Sequence, residues 1–311
     1  MFQLPPLDWV LSPWGMAVLG LLVGSFLNVV VHRLPIMLER QWWGDVVSQL
    51  RDRDSFRRTF DAEAPPGLQQ AGSALRRTLS SLGRLSLTHP ASRCPSCGHR
   101  IRWYENVPVV SWLWLRGRCS GCKTRISARY PLVELATAGL FAAVAWQFGP
   151  KPATALYAGL VAALLALTLI DWDTTVLPDN ITLPLLWAGL VCAGLGWLPD
   201  VPLTASLWGA VAGYGSLWAV YWVFKLATGK EGMGYGDFKL LAALGAWLSW
   251  QAILPIVLMA SVIGAVVGLL MKLQGSLREG RFVPFGPFLA GGGVVVLLAG
   301  LPTVLGWIGW A

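Results

Sequence analysis

The stretch ATALYAGLVAALLALTLIDWDTTVLPDNITLPLLWAGL, residues 153–190, decides the architecture. Its first half is an apolar run long enough to cross a hydrocarbon core of about 30 Å as a helix. The run ends on Asp171, a turn carries Asp173 and Asp179, and a second apolar run departs. Two such runs around a short polar turn read as a membrane hairpin, and similar runs continue on both sides of it. Along the chain there are eight, at 12–34, 131–149, 153–171, 181–198, 203–227, 238–250, 252–272 and 284–309. With 55% hydrophobic residues, 13% charged residues and 18 Trp in 311 positions, the composition excludes an ordinary soluble domain. The expected fold is an all-α polytopic membrane protein of about eight transmembrane helices. No basic residue precedes the first run and no small-residue cleavage site follows it, so a retained span is expected there rather than a signal peptide.

Basic residues orient these spans. Seventeen of the 24 Lys and Arg fall in 33–130, and six more (Lys225, Lys230, Lys239, Lys272, Arg278 and Arg281) fall in turns of the same parity. Only Lys151 lies on the other side. The positive-inside bias predicts a cytoplasmic 35–130 segment and both termini outside. The net charge of +8 then reports topology and contact with membrane lipid, with no nucleic-acid partner expected. The expected division is a first span in 1–34, a cytoplasmic segment over 35–130 and a seven-span core over 131–311. Within the segment, 41–90 mixes charge, Gly, Pro and Ser, and short amphipathic helices along the membrane or partial disorder are expected.

The rest of that segment carries chemistry. Cys94-x2-Cys97 precedes Cys119-x2-Cys122 by the spacing of a zinc ribbon. Two thiolate pairs, each pinched by a tight turn, supply four soft ligands for a tetrahedral metal. A small four-cysteine, zinc-ribbon-like domain is expected at about 91–128. Two disulfides are the alternative, against which the predicted reducing compartment argues. Cys192 lies in an apolar run and reads as a small buried side chain.

Eight acidic residues follow residue 130. Glu134 is explained by the first turn of a helix, Asp200 and Glu279 by solvent, and Asp179 or Asn180 by an N-cap. Asp171 directly follows an apolar run, where an ionisable side chain is a functional candidate by default. Asp237 sits in GMGYGDFKLL, residues 232–241, where Gly234 and Gly236 permit a sharp turn and a close backbone approach. By itself Asp237 is equally well an N-cap. Both aspartates fall on the same predicted side of the membrane. Two carboxylates side by side cannot both ionise; sharing one proton, they can activate a water and polarise a carbonyl. No G-x-S-x-G or H-E-x-x-H pattern competes, and the three His all precede residue 100.

These motifs together resemble the type IV prepilin peptidases. The resemblance runs through GSFLNVVVHRLP (24–35), both cysteine pairs, RYPLVELATA (129–138), LIDWDTTVLPD (169–179), KEGMGYGDFKLL (230–241) and PFGP (284–287). It implies a bacterial inner-membrane enzyme that cleaves prepilins and pseudopilins between Gly and Phe by an aspartic mechanism. It also implies N-methylation of the new terminus from S-adenosylmethionine. By position, the resemblance assigns catalysis to Asp171 and Asp237 and zinc to the four cysteines. Trp103, Glu105 and Asn106 are candidates for methyl transfer, an activity that no glycine-rich loop announces. Two other classes compete: an ion or proton transporter using Asp171 and Asp237, and a structural zinc-ribbon scaffold in which both aspartates are caps.

Overall fold

Helices in this chain start and stop at proline, glycine and left-handed residues. The computed structural model describes residues 7–275 and 283–310. It begins with α1 (Leu7–Val10) and α2 (Pro13–Arg51), which continues through Pro35. Then come α3 (Arg53–Phe60) and α4 (Pro66–Ser81). A 3-10 turn (Trp103–Asn106) and α5 (Val110–Trp114) lie between the cysteine pairs. The remainder is α6 (Arg129–Phe148), α7 (Pro152–Thr174), α8 (Asp179–Gly194), α9 (Leu203–Thr228), α10 (Tyr235–Leu248), α11 (Ile253–Leu273), α12 (Gly286–Ala299) and α13 (Leu301–Trp307). Pro152 opens α7, and Pro178 and Pro202 immediately precede α8 and α9, where a missing N–H costs nothing. Thr175 (φ 55°) and Gly229 (φ 70°) close α7 and α9 in the left-handed conformation.

The chain divides into two compact units, Met1–Leu27 with Ala128–Ala311, and Asn28–Ser127. In the first unit α10 is the central element. Every residue from Asp237 to Leu248 except Lys239 is buried. It packs on α8, α9 and α12. Gly209 and Gly213 of α9 let the two backbones touch: a Cβ on Gly209 would collide with the Gly245 carbonyl, and one on Gly213 would lie 2.5 Å from that of Leu241. Small residues at such a crossing allow close packing where lipid offers no hydrophobic drive between helices. Polar links complete it, with Ser206 Oγ donating to Ala246 O at 2.7 Å and Trp247 Nε1 to Leu185 O at 2.8 Å.

The expected eight spans do not survive. Among the described residues, four helices are long and apolar enough to cross a membrane: Pro13–Arg51, Arg129–Phe148, Pro152–Thr174 and Trp250–Leu273. The stretch expected as the last span is two helices, Gly286–Ala299 and Leu301–Trp307, bent by 111° at Gly300; counting them as one span gives five. The other runs fail on length or composition. α8 has 16 residues and α10 has 14, about 24 and 21 Å at 1.5 Å per residue. α9 is long enough at 26 residues, but its Trp, Tyr, Gly and Ser dilute its hydropathy. Arg278, Glu279 and Arg281 lie outside the described residues. The chain is an all-α, multi-pass membrane protein.

The expected ribbon is also corrected. Among the described residues there is no β-sheet, only isolated bridges pairing Arg93 with Arg100 and Arg118 with Arg125. Each bridge closes one cysteine loop. Between the loops the chain coils into the 3-10 turn and α5, so the single residue pair at each loop has nothing to extend into.

Candidate active site

The carboxylates of LIDWDTTVLPD meet different fates. Asp173 takes both nitrogens of Arg129, at 2.9 and 2.7 Å. Asp179 takes Lys239 Nζ at 2.7 Å on each oxygen. Asp179 is therefore the first residue of α8 rather than its cap; the N-cap is Pro178, which has no side chain to offer. Asp171 has no cation among the described residues. It lies in the last turn of α7, 5% exposed, and its Oδ2 accepts the Gly286 N–H from the start of α12 at 3.1 Å.

Asp237 is buried too, at 8% exposure. It is not the N-cap: Gly234 holds that position, and Asp237 is the third residue of α10, its carboxylate turned back towards the Gly234 N–H. Its turn is fixed from behind by α9. Tyr221 stacks on Tyr235 and Phe238 at 5.4 and 5.8 Å. Lys225 Nζ bonds Tyr221 Oη at 3.1 Å and Glu231 at 2.8 Å, tying the start of the glycine-rich segment to α9.

Leu177 draws the two aspartate environments together. A Cβ on Gly236 would lie 2.8 Å from Leu177 Cβ, and one on Gly286 would lie 3.1 Å from Leu177 Cδ1 and 2.5 Å from Asp171 Oδ2. Only glycine fits at these two contacts without displacing something. Asp171 and Asp237 are close enough for direct electrostatic interaction. Among the described residues no Lys, Arg or His pairs with either. Two buried carboxylates within electrostatic range of each other, with no counter-cation among the described residues, meet one requirement for sharing a proton.

The Type IV leader peptidase family model matches residues 158–269, which contain both aspartates, and the Bacterial Peptidase A24 N-terminal domain model matches 18–148. A prepilin leader peptidase/N-methyltransferase of Burkholderia pseudomallei is 51% identical over 288 residues, covering 93% of this chain and 85% of that one. One from Stutzerimonas stutzeri is 50% identical over 295 residues, 95% and 92% of the two chains. The chain belongs to the type IV leader peptidase family. A search of solved structures gave no match.

The cysteines of this leader peptidase family member lie in the second unit, within the N-terminal domain match. Cys94 and Cys119 each begin a knuckle: their N–H groups donate to His99 O and Thr124 O at 2.9 Å. Their carbonyls accept from Gly98 (φ 72°) and Lys123 (φ 61°), the left-handed residues that reverse each loop. All four Sγ atoms lie within 4.8 Å of one another. Cys94 to Cys122 is 3.8 Å and Cys97 to Cys119 is 4.0 Å, near the roughly 3.8 Å edge of a tetrahedron with metal–sulfur bonds of about 2.3 Å. The donor set fits a thiophilic metal and is too open for disulfides.

Trp103, Glu105 and Asn106 share the 3-10 turn. Glu105 Oε2 accepts the Arg102 N–H at 2.9 Å and contacts His99 Nε2 at 3.1 Å, and His99 Nε2 also contacts Ser120 Oγ at 3.1 Å. The Arg102 N–H, with help from Ser120 and His99, holds the Glu105 carboxyl down to about 2. His99 is thus a bridge between the knuckles rather than a free surface residue. Trp103 is 83% exposed. Three features had no sequence signal: the Gly286 N–H on Asp171, Leu177 between the two turns, and the burial of Glu134 (7% exposed) beyond the first turn of α6.

Proposed function

We propose that this protein removes the leader of type IV prepilins and pseudopilins by an aspartic mechanism at Asp171 and Asp237, then N-methylates the exposed terminus. The supporting observation is the pair of buried, uncompensated carboxylates joined through Leu177. In this reading one carboxylate takes a proton from water, whose oxygen attacks the carbonyl carbon of the Gly–Phe bond. The other, protonated, donates a hydrogen bond to the carbonyl oxygen. Collapse of the tetrahedral intermediate breaks the C–N bond, and the departing amine receives a proton from the pair. Arg129 and Lys239, by neutralising Asp173 and Asp179, leave the shared proton to Asp171 and Asp237 alone. Gly236 lets the turn pack against Leu177, and Gly234, with no heavy atom nearer than 4.0 Å to a Cβ there, is where the substrate backbone approaches. Purified protein in detergent, given a prepilin precursor, is expected to yield a product shortened by the leader. An unshortened precursor with a folded enzyme would instead favour the transporter or scaffold reading.

For the methyl half, S-adenosylmethionine supplies the methyl group. The exposed ring of Trp103 and the amide of Asn106 are the proposed contacts. Glu105, committed to Arg102 and His99, fixes their turn instead of reaching the donor. The acceptor is the neutral α-amine of the cleaved product, whose ordinary pKa of about 8 leaves a minority unprotonated at pH 7.

Zinc is the metal proposed for Cys94, Cys97, Cys119 and Cys122, as a structural crosslink. We expect about one zinc per chain in metal analysis, lost on replacing Cys94 and Cys119 with Ser, with protease sensitivity rising in 91–127. Full occupancy in that variant would overturn the assignment. The enzyme is placed in the bacterial inner membrane, in contact with its lipid, with both termini outside. Reporter fusions at Lys151 and after Ala311 should both report the external side; a cytoplasmic signal from either contradicts this orientation.

A further inference from the structure

We propose that α5 is a membrane-surface anchor, its outward face entering the interfacial layer of an anionic bilayer while flanking arginines meet lipid phosphates. The inward side of α5 is fixed. Ser111 Oγ donates to Val107 O at 2.7 Å and Tyr104 O at 3.1 Å, and Trp112 Nε1 donates to Ile126 O at 3.2 Å. A Cβ on Gly117 would lie 2.9 Å from the Trp112 ring. These anchors leave Val110, Leu113 and Trp114 pointing away at 56, 61 and 84% exposure. Their spacing of i, i+3 and i+4 puts them on one helical face. The lipid-crossing helices also expose large apolar side chains, but α5 does so outside every membrane-crossing helix.

Charge selects the occupant. Residues 91–127 carry seven Lys and Arg against one acid, Glu105, and that acid is already engaged by Arg102 N–H and His99. Arg100, Arg102, Arg116 and Arg118, on either side of α5, are exposed. Apolar anchors ringed by arginine suit an anionic interface, whereas a second copy would set seven cations against seven. Both ends of this unit are continuous in the chain with membrane-crossing helices: α2 runs into it, and α6 begins at Arg129, fifteen residues after Trp114.

The proposal rests on α2 and α6 spanning the membrane, not on the aspartates, so it can fail while cleavage is normal. The test uses full-length protein in nanodiscs of phosphatidylglycerol or of phosphatidylcholine. In the unmodified protein, amide hydrogen exchange over Val110–Trp114 should be several-fold slower in phosphatidylglycerol; equal exchange overturns the proposal. With p-benzoylphenylalanine in place of Trp114, irradiation should add the mass of one phospholipid, at much higher yield than with the same probe in place of exposed Lys123. Replacing Arg116 and Arg118 by Glu should lower that yield roughly fivefold or more. Equal yields at both positions overturn the anchor. So does a Trp114-position adduct formed with a second chain or with added prepilin.

Discussion

Asp171→Asn and Asp237→Asn are each expected to lower precursor cleavage by about a thousandfold or more, with zinc content unchanged. The substitution preserves shape and hydrogen-bonding size but removes the proton that the pair exchanges between water and the scissile carbonyl. Asp171→Asn also keeps an oxygen to accept the Gly286 N–H, so loss of activity in that variant is not loss of the α7–α12 contact. Asp173→Asn is the internal control. That carboxylate is equally near in sequence but is partly exposed and bound to Arg129. Removing an exposed pair costs at most about 1 kcal/mol, and cleavage should stay within a few-fold of wild type. Methyl transfer requires neither the water nor the polarised carbonyl. Given a peptide that already begins at the mature Phe, both dyad variants should methylate it; failure in a folded variant would mean one site serves both reactions.

Gly286→Ala is expected to reduce cleavage by about a hundredfold through position alone. Its new Cβ would lie 2.5 Å from Asp171 Oδ2, so the carboxylate must swing away or α12 must retreat, and either movement lengthens the bond from the Gly286 N–H. Gly236→Ala offers a graded comparison. There the new Cβ meets Leu177 Cβ at 2.8 Å, so the loop that carries Leu177 must shift, but no carboxylate is struck directly and a smaller loss is expected. If Gly286→Ala cleaves at the wild-type rate, the α12 backbone has no part in holding Asp171. Measured kcat and KM for the two variants distinguish misplacement from lost substrate affinity: misplacement lowers kcat with little change in KM.

Which carboxylates are candidates for chemistry was legible from the sequence, because a charge next to an apolar run is conspicuous. How they are compensated was not. Arg129 reaches Asp173 from 44 residues away, Lys239 reaches Asp179 from 60, and Gly286 reaches Asp171 from 115. The polar turn therefore looked unneutralised, and Asp179 looked like a cap although Pro178 occupies that position. The span count failed for a related reason. Hydropathy sees apolar composition but not helix length, so α10, whose 14 residues form the buried centre of the membrane unit, counted the same as a crossing helix. Cysteine spacing located the thiolate cluster, because a C-x2-C turn is local, but it could not show that the intervening chain coils into α5 instead of pairing as strands.

The measurement that bears most directly on a shared proton is the single-turnover cleavage rate of the Asp171→Asn, Asp237→Asn double variant beside each single variant, with zinc content as the check on folding. Groups that act as one unit lose almost everything with the first substitution. The account predicts that the double variant retains the same residual rate as either single variant, far below wild type. Losses that multiply, or substantial cleavage surviving in either single variant, would show that Asp171 and Asp237 act independently and would contradict the dyad.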